Sequence, residues 1–412
     1  MSSADANRIA GFLDELSAIG RDPRGGWSRL AYSAQEREAH LLFRRSLEDV
    51  GLQTSGDSAG NSYGLLPGTE KLPALMTGSH LDTVYQGGNF DGAVGVAAAV
   101  ELARLLADQD RMRHPVRVVA FAAEEGARFG APCIGSRLAT GAYGSETLTE
   151  LLDDQGVSAH QAATEVGLLV EGVAADRWDF TDVACFVEVH IEQGRVLEAR
   201  DRPLGVVHSI GGSTRVELTF DGRADHSGAT PMWLRRDALA AASELVLAAE
   251  RRARMHATTV ATVGRLDIGP NSLTTVPGQV VLTLDVRDID SERQRELCES
   301  ILDDAVRIAS GREITVSARR LSDQSPVVLH GTMQAVLASA AARNQTPFIT
   351  MPSGASHDAA HIAKHVPTGM LFIPCREGVS HAPEEHAEPA RIAEAVDVLL
   401  HAFRAIDAGA EV

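Results

Sequence analysis

The stretch Pro73–Gly92, PALMTGSHLDTVYQGGNFDG, opens as an apolar run, places His80 and Asp82 where that run stops, and carries Asp91 into a glycine-rich loop. A short apolar run bounded by polar residues reads as a buried strand. The next segment, GAVGVAAAVELARLLAD (92–108), reads as a helix of small and apolar residues able to pack closely on a sheet. Acidic and imidazole groups beside a core are costly unless something pairs with them. A metal ion is one such partner; a polar loop capping a strand is the other reading.

The same design recurs along the chain. PVRVVAFAAEEG (115–126) is an apolar run ending in Glu124 and Glu125, and VACFVEVHIEQG (183–194) ends in His190 and Glu192. GMLFIP (369–374) is a short strand followed by GVSHAPEEH, which contains His381. Residues 35–50 suit a helix, as do 390–404, where Ile392, Val396, Leu399, Leu400 and Phe403 keep helical spacing behind Pro389. Alternating strands and helices predict an α/β catalytic domain, a sheet layered by helices. Open sheets of this kind place ligand sites beyond the carboxyl ends of their strands. Four strand ends carrying His80/Asp82, Glu124/Glu125, His190/Glu192 and His381 therefore point together to one site.

The middle of the chain differs. STRVELTFDG, a helix over 237–253, TTVATVGRLDI, QVVLTLDVRD, a helix over 291–308 and EITVSARR run in the order βαββαβ, the ferredoxin-like unit. In QVVLTLDVRD, Val280, Leu282, Leu284 and Val286 alternate with Gln279, Thr283, Asp285 and Arg287, as in a strand buried on one side. The expected organisation is an inserted domain at 212–326, with 1–211 and 327–412 forming the catalytic domain.

Composition narrows the function classes. The 412 residues, 44% of them hydrophobic, can bury a large core, and a formal net charge of −18 argues against nucleic acid or an anionic membrane as partner. The cysteines, Cys133, Cys185, Cys298 and Cys375, are far apart and form no CxxC pair, which fits a reducing compartment and no thiolate metal site. No apolar stretch is long enough to span a bilayer, and MSSADANRIAGFLDEL lacks the basic and apolar regions of a signal peptide. The expectation is a soluble cytoplasmic protein. A nitrogen and oxygen ligand set suits Zn, Mn, Co or Ni, and two histidine-bearing arms with carboxylates between them suit a two-metal site activating one water.

Five motifs, GSHLDTVYQGGNFDGAVGV, AAEEGARFG, VEVHIEQGRVLE, DHSGATPMWLRRDA and GVSHAPEE, resemble in order the hydantoinase/carbamoylase group of the M20 metallopeptidase-like amidohydrolases. The group includes N-carbamoyl-L-amino acid hydrolase, allantoate amidohydrolase and β-ureidopropionase. The resemblance implies two divalent metal ions per subunit, one held by His80 and His190, the other by Glu125 and His381, with Asp91 bridging. It implies that Asp82 supports His80 and that Glu124 is the general base. It implies substrate contacts from Gln193, His226, Asn271 and Arg287, with His226, in the inserted lid and dimerisation domain, often supplied by the other subunit of a homodimer. From the residues alone, Arg287 pairs with Asp285 or Asp288.

In SGASHDAAHIAKH (353–365), His357, His361 and His365 keep helical spacing, but HDAAH lacks the glutamate of HExxH, so His361 and His365 read as a helix surface stripe. The family pattern there is Gly-Ala-Gly-His-Asp-Ala, and Ser356 replaces its second glycine; Ser356 and His357 are candidate substrate contacts that bear on specificity. The expected reaction is hydrolysis of the ureido C–N bond of an N-carbamoyl-L-amino acid, a small anionic ureide, to amino acid, ammonia and CO2. Allantoate or N-carbamoyl-β-alanine is the alternative substrate, and a non-catalytic binding homologue is the rival class.

Overall fold

The computed structural model describes residues 3–109 and 111–412. The chain forms two compact units, Met1–His208 with Leu329–Val412, and Ser209–Val328. In chain order the strands of the first part are β1 (Gln53–Gly56), β2 (Ser62–Leu66), β3 (Ala74–His80), β4 (Val116–Phe121), β5 (Val183–Ile191) and β6 (Leu204–Ile210). Those of the middle are β7 (Gly212–Asp221), β8 (Asp225–His226), β9 (Val260–Gly269), β10 (Thr275–Val276), β11 (Gln279–Asp288), β12 (Thr315–Gln324) and β13 (Val327–Val328). β14 (Phe348–Ser353) and β15 (Thr368–Ile373) close the series.

The main sheet has the order β1-β2-β4-β3-β5-β15-β6-β13, with β14 paired to β6. Its centre, β4-β3-β5-β15, is parallel, and β2 and β6 join it antiparallel. Every residue of β3 and β15 is buried, as central parallel strands covered on both faces require. One cover is the helix Ala93–Ala107, whose run of alanine, valine and glycine lets its backbone approach the sheet. A Cβ added at Gly95 would lie 2.2 Å from the Val189 carbonyl oxygen and 2.6 Å from Ser79 Cβ, so no side chain fits there. The helix Pro389–Asp407 packs on the same layer through Ile392, Val396, Leu399, Leu400 and Phe403, all buried. Helix Ala34–Glu48 begins at Ser33, whose Oγ accepts from Glu36 N at 3.1 Å.

Between β4 and β5 the chain makes three short α-helices, Ile134–Ala139, Ser145–Glu150 and Ala159–Glu165, around a small apolar cluster that Ala31, Tyr32 and Ala59 also join. None is long enough to show a helical period in the sequence.

The second unit holds a four-stranded antiparallel sheet, β12-β7-β11-β9. Helices Ala238–Ala253 and Ser291–Gly311 contact its strands, and Val216, Leu218, Phe220, Val280, Leu282, Leu284 and Val286 supply the sheet's buried side. Asp237 and Asp290 cap the two helices by accepting backbone N–H bonds. The chain order is βαββαβ. A separate two-stranded ladder pairs β8 with β10, setting His226 opposite Thr275; two-residue strands leave no periodic signature in the sequence.

Candidate metal centre

Because β4, β3, β5 and β15 are neighbouring parallel strands, their carboxyl ends lie on one side of the sheet. His80 is the last residue of β3, His190 the penultimate residue of β5, and Glu124 and Glu125 follow β4. Asp91 stands just before the helix Ala93–Ala107, and His381 follows the short turn Arg376–Gly378 beyond β15. The donor atoms of His80, Asp91 and His190 lie within 4.8 Å of one another, as do those of Asp91, Glu125 and His381. Asp91 belongs to both groups. Its Oδ1 is 3.1 Å from His190 Nε2 and 3.7 Å from His80 Nε2, while its Oδ2 is 3.1 Å from His381 Nε2. His381 Nε2 is also 3.3 Å from Glu125 Oε1. Gly92, at φ +65°, makes room: a Cβ there would lie 2.4 Å from the His80 ring.

The donor set fits cations. His190 Nδ1 donates to the Ile191 carbonyl at 2.9 Å, so in the neutral ring Nε2 is a bare lone pair, while burial, which lowers the imidazole, is outweighed by Asp91, which raises it and favours positive charge here. That Nε2 is buried, has no hydrogen-bond partner, and faces a carboxylate oxygen. Two acceptors turned on one another repel unless a positive charge stands between them. Across the site, Asp91 and then Glu125 raise the His381 imidazole to about 11, so this position holds positive charge as a proton or as a metal ion in its place.

Asp82 ties the ligands together. Its Oδ1 accepts from Glu124 N at 3.0 Å and lies 3.4 Å from His80 Nδ1, and its Oδ2 accepts from Glu125 N at 2.8 Å. One buried carboxylate thus orients a histidine and two glutamates from different strands. Glu124 Oε2 is 3.7 Å from His80 Nε2. Burial, reinforced by Glu125, Asp358 and Asp82 and opposed by His80, raises Glu124 well above the ordinary carboxylate value. Gln193, at φ +57°, donates from Nε2 to Asp91 Oδ2 at 2.6 Å.

Other predicted residues lie around this set. Glu192 accepts from Val196 N and Leu197 N, at 2.7 and 2.8 Å, so this strand-end carboxylate caps a short helix. His357 is buried beside His190, ring centroids 4.5 Å apart, with Nε2 2.8 Å from Ser353 Oγ; burial and the neighbouring His190 hold it well below the usual imidazole value. Ser356 next to it is half-buried. The expected helix stripe is not formed: the helix is only Ala359–Ile362. His361 packs under Arg137, whose Nε donates to its Nε2 at 3.2 Å, while the exposed His365 stacks on Phe180.

Two further buried carboxylates, Glu385 and Glu188, belong to the site. Glu385 Oε1 accepts from Phe90 N and Asp91 N, both at 2.9 Å, and its Oε2 lies 3.0 Å from Ser380 Oγ and accepts from His381 N at 3.3 Å. It joins the Asp91 loop to the His381 loop. Burial and then Asp91 raise it to about 7. Glu188, two residues before His190 on the same strand face, accepts from Ser79 Oγ and Ala359 N at 2.7 and 3.0 Å. An acid inside an apolar strand at that spacing was its available signal.

In the second unit, His226 is exposed, and its Nδ1 accepts from Gly228 N and Ala229 N at 3.1 and 3.2 Å, which leaves the ring proton on Nε2. Arg287 is half-buried against Asp285, its Nη2 donating to Oδ2 at 3.0 Å. Asn271 is exposed at φ +44°.

A parallel-sheet unit with this ring of histidines and carboxylates is suited to hold metal ions at its strand ends. Residues 76–405 match Peptidase family M20/M25/M40, and the chain belongs to that family. It is 38% identical to an N-carbamoyl-L-amino acid amidohydrolase of Geobacillus stearothermophilus over 391 residues, 94% of this chain and 95% of the relative. It is 36% identical to an allantoate amidohydrolase of Escherichia coli (strain K12), covering 94% of each. A crystal structure of an amidase of the hydantoinase/carbamoylase family from Burkholderia multivorans is similar with TM-score 0.89 and 33% identity, covering 97% of each chain. The chain is an amidohydrolase of this group. No helix among the described residues is long and apolar enough to cross a membrane.

Proposed function

We propose that the protein hydrolyses the ureido C–N bond of N-carbamoyl-L-amino acids with two divalent ions per chain. His80, His190 and Asp91 would hold one ion, and Asp91, Glu125 and His381 the other; Zn, Mn, Co and Ni suit the donors. Bound ions supply Lewis acidity, polarising the ureido carbonyl and making a water acidic near neutral pH. Glu124 takes the proton from that water through Oε2, which faces His80, and returns it to the leaving nitrogen. Water adds to the carbonyl carbon, the C–N bond breaks, and the carbamate fragment decomposes, giving amino acid, ammonia and CO2.

Gln193, Ser356 and His357 are the substrate contacts of the first unit in this reading, with His226, Asn271 and Arg287 those of the second. His226 would donate its Nε2 proton to the oxyanion formed at the carbonyl. Arg287 would hold the substrate carboxylate, as a planar guanidinium can pairwise. The inserted unit, 212–326, would serve as lid and dimerisation surface of a homodimer. Four unpaired cysteines favour the cytoplasm.

The observation that carries the reading is Asp91 standing between two histidine-bearing groups with Glu124 beside them. Ammonia release tests it with N-carbamoyl-L-α-amino acids, N-carbamoyl-β-alanine and allantoate, each with and without added Mn or Zn. The expected result is metal-dependent release with the highest kcat/KM on an N-carbamoyl-L-α-amino acid. A higher kcat/KM on allantoate would move the assignment to the 36% relative's substrate, one on N-carbamoyl-β-alanine to a β-ureidopropionase, and no turnover of any ureide to a binding role.

A further inference from the structure

We infer that Cys133 is a positioning residue for Glu124, its thiol fixing which carboxylate oxygen is presented to the reaction. The inference rests on Glu124 acting as the base. Cys133 Sγ donates to Glu124 Oε1 at 3.1 Å, and among the described residues it is the one side-chain donor bonded to that carboxylate. Glu124 is only 5% exposed, so its Oε1 gets little from solvent. The other oxygen, Oε2, is the one turned to His80. A carboxylate held by one oxygen has a defined rotation about its last bond, and proton transfer is sensitive to that rotation.

The backbone aligns the pair before the thiol acts. Cys133 N donates to Glu124 O at 2.7 Å, Ile134 N to Ala123 O at 2.9 Å and Gly135 N to Ala122 O at 3.0 Å. Three successive rungs thus clamp 133–135 along 122–124. Cys133 itself is fully buried at φ +58°, a left-handed conformation uncommon for a residue with a side chain. That conformation ends the loop, starts the helix Ile134–Ala139 and turns Sγ back onto the carboxylate. Burial, then the charge of Glu124, raises the thiol well above its ordinary value, so the sulfur keeps the proton it donates.

The test is a double-mutant cycle on the metal-loaded enzyme, with Cys133→Ala, Cys133→Ser, Glu124→Gln and the Cys133→Ala/Glu124→Gln pair. Cys133→Ala removes the donor and should lower kcat about five- to fiftyfold with KM and metal content near wild type. Cys133→Ser, which restores a donor in the same backbone, should recover most of that loss. In the Glu124→Gln background, Cys133→Ala should cost less than twofold, because the group it positions is gone. Wild-type kcat in Cys133→Ala, an equal loss in Cys133→Ser, or a full additional loss in the pair would each overturn the inference. A Cys133→Ala protein that does not fold passes the decision to Cys133→Ser: near-wild-type kcat there supports the inference and a large loss overturns it. Failure of the base reading shows separately, as a Glu124→Gln enzyme with wild-type kcat.

Discussion

Replacing Asp82 by asparagine isolates the residue on which the ligand arrangement turns. Each Asp82 oxygen accepts one peptide N–H, from Glu124 at 3.0 Å and Glu125 at 2.8 Å, and Oδ1 also lies 3.4 Å from His80 Nδ1. An amide has the same shape but only one acceptor oxygen. Whichever way it turns, one of the two peptide N–H groups then faces an NH2. The substitution removes one hydrogen bond to a carboxylate, worth about 1.5–3 kcal/mol, and leaves a buried donor unpaired. His80 loses its carboxylate neighbour as well. If the cost of that lost bond falls on the arrangement that binds metal, affinity drops by about 1.5–3 kcal/mol, which is about ten- to more than a hundredfold, near the range for groups that support ligands from behind. The assay is competition with a chelating dye, run on metal-stripped Asp82→Asn and wild type, beside denaturant unfolding of both. Asp57→Asn is the control, since Asp57 is a half-buried carboxylate that likewise accepts several hydrogen bonds but bonds Ala59, Asn61 and Trp178; it should lose stability and keep metal affinity. Unchanged metal affinity in Asp82→Asn would refute the reasoning.

Glu124→Gln should keep its fold and metal content while kcat falls at least ~10²-fold, whereas Glu125→Gln should lower occupancy of one metal; steady-state kinetics with elemental analysis distinguishes them. Arg287→Lys should cut kcat/KM by about ten- to a hundredfold on an N-carbamoyl amino acid and change it little on the corresponding amide, which lacks the carboxylate. An equal loss on both substrates would mean that Arg287 serves mainly its ion pair with Asp285. If His226 comes from a partner subunit, mixing inactive His226→Ala with inactive Glu124→Gln should restore some activity through hybrid dimers; no recovery after confirmed subunit exchange would mean that each chain completes its own site.

The fold class was legible because central strands are written as unbroken apolar runs. PALMTGS and GMLFIP occupy β3 and β15, both wholly buried, and the alternation in QVVLTLDVRD matches a strand covered on one side. The region of the site was legible for a related reason: His80, Glu124 and His190 are polar groups where those runs end. The parts that escaped notice depend on contacts distant in sequence. Glu385 meets the Asp91 backbone from 294 residues away, and nothing in APEEH distinguishes it from Glu384. The side chain of Cys133 is meaningful only because the backbone turns left-handed there. Glu192 shared the strand-end pattern but found free backbone N–H groups nearer than the site. His361 kept helical spacing with His357, but the helix is too short to carry a stripe.

The central claim is a paired metal site bridged by Asp91, and its most direct test is reconstitution. Metal-free protein, verified by elemental analysis, would be titrated with Mn or Zn while bound metal and ammonia release from an N-carbamoyl-L-amino acid are recorded together. The account predicts negligible turnover at zero metal and a plateau at about two ions per chain, the number the two groups sharing Asp91 can hold. Full activity in the metal-free protein would contradict it.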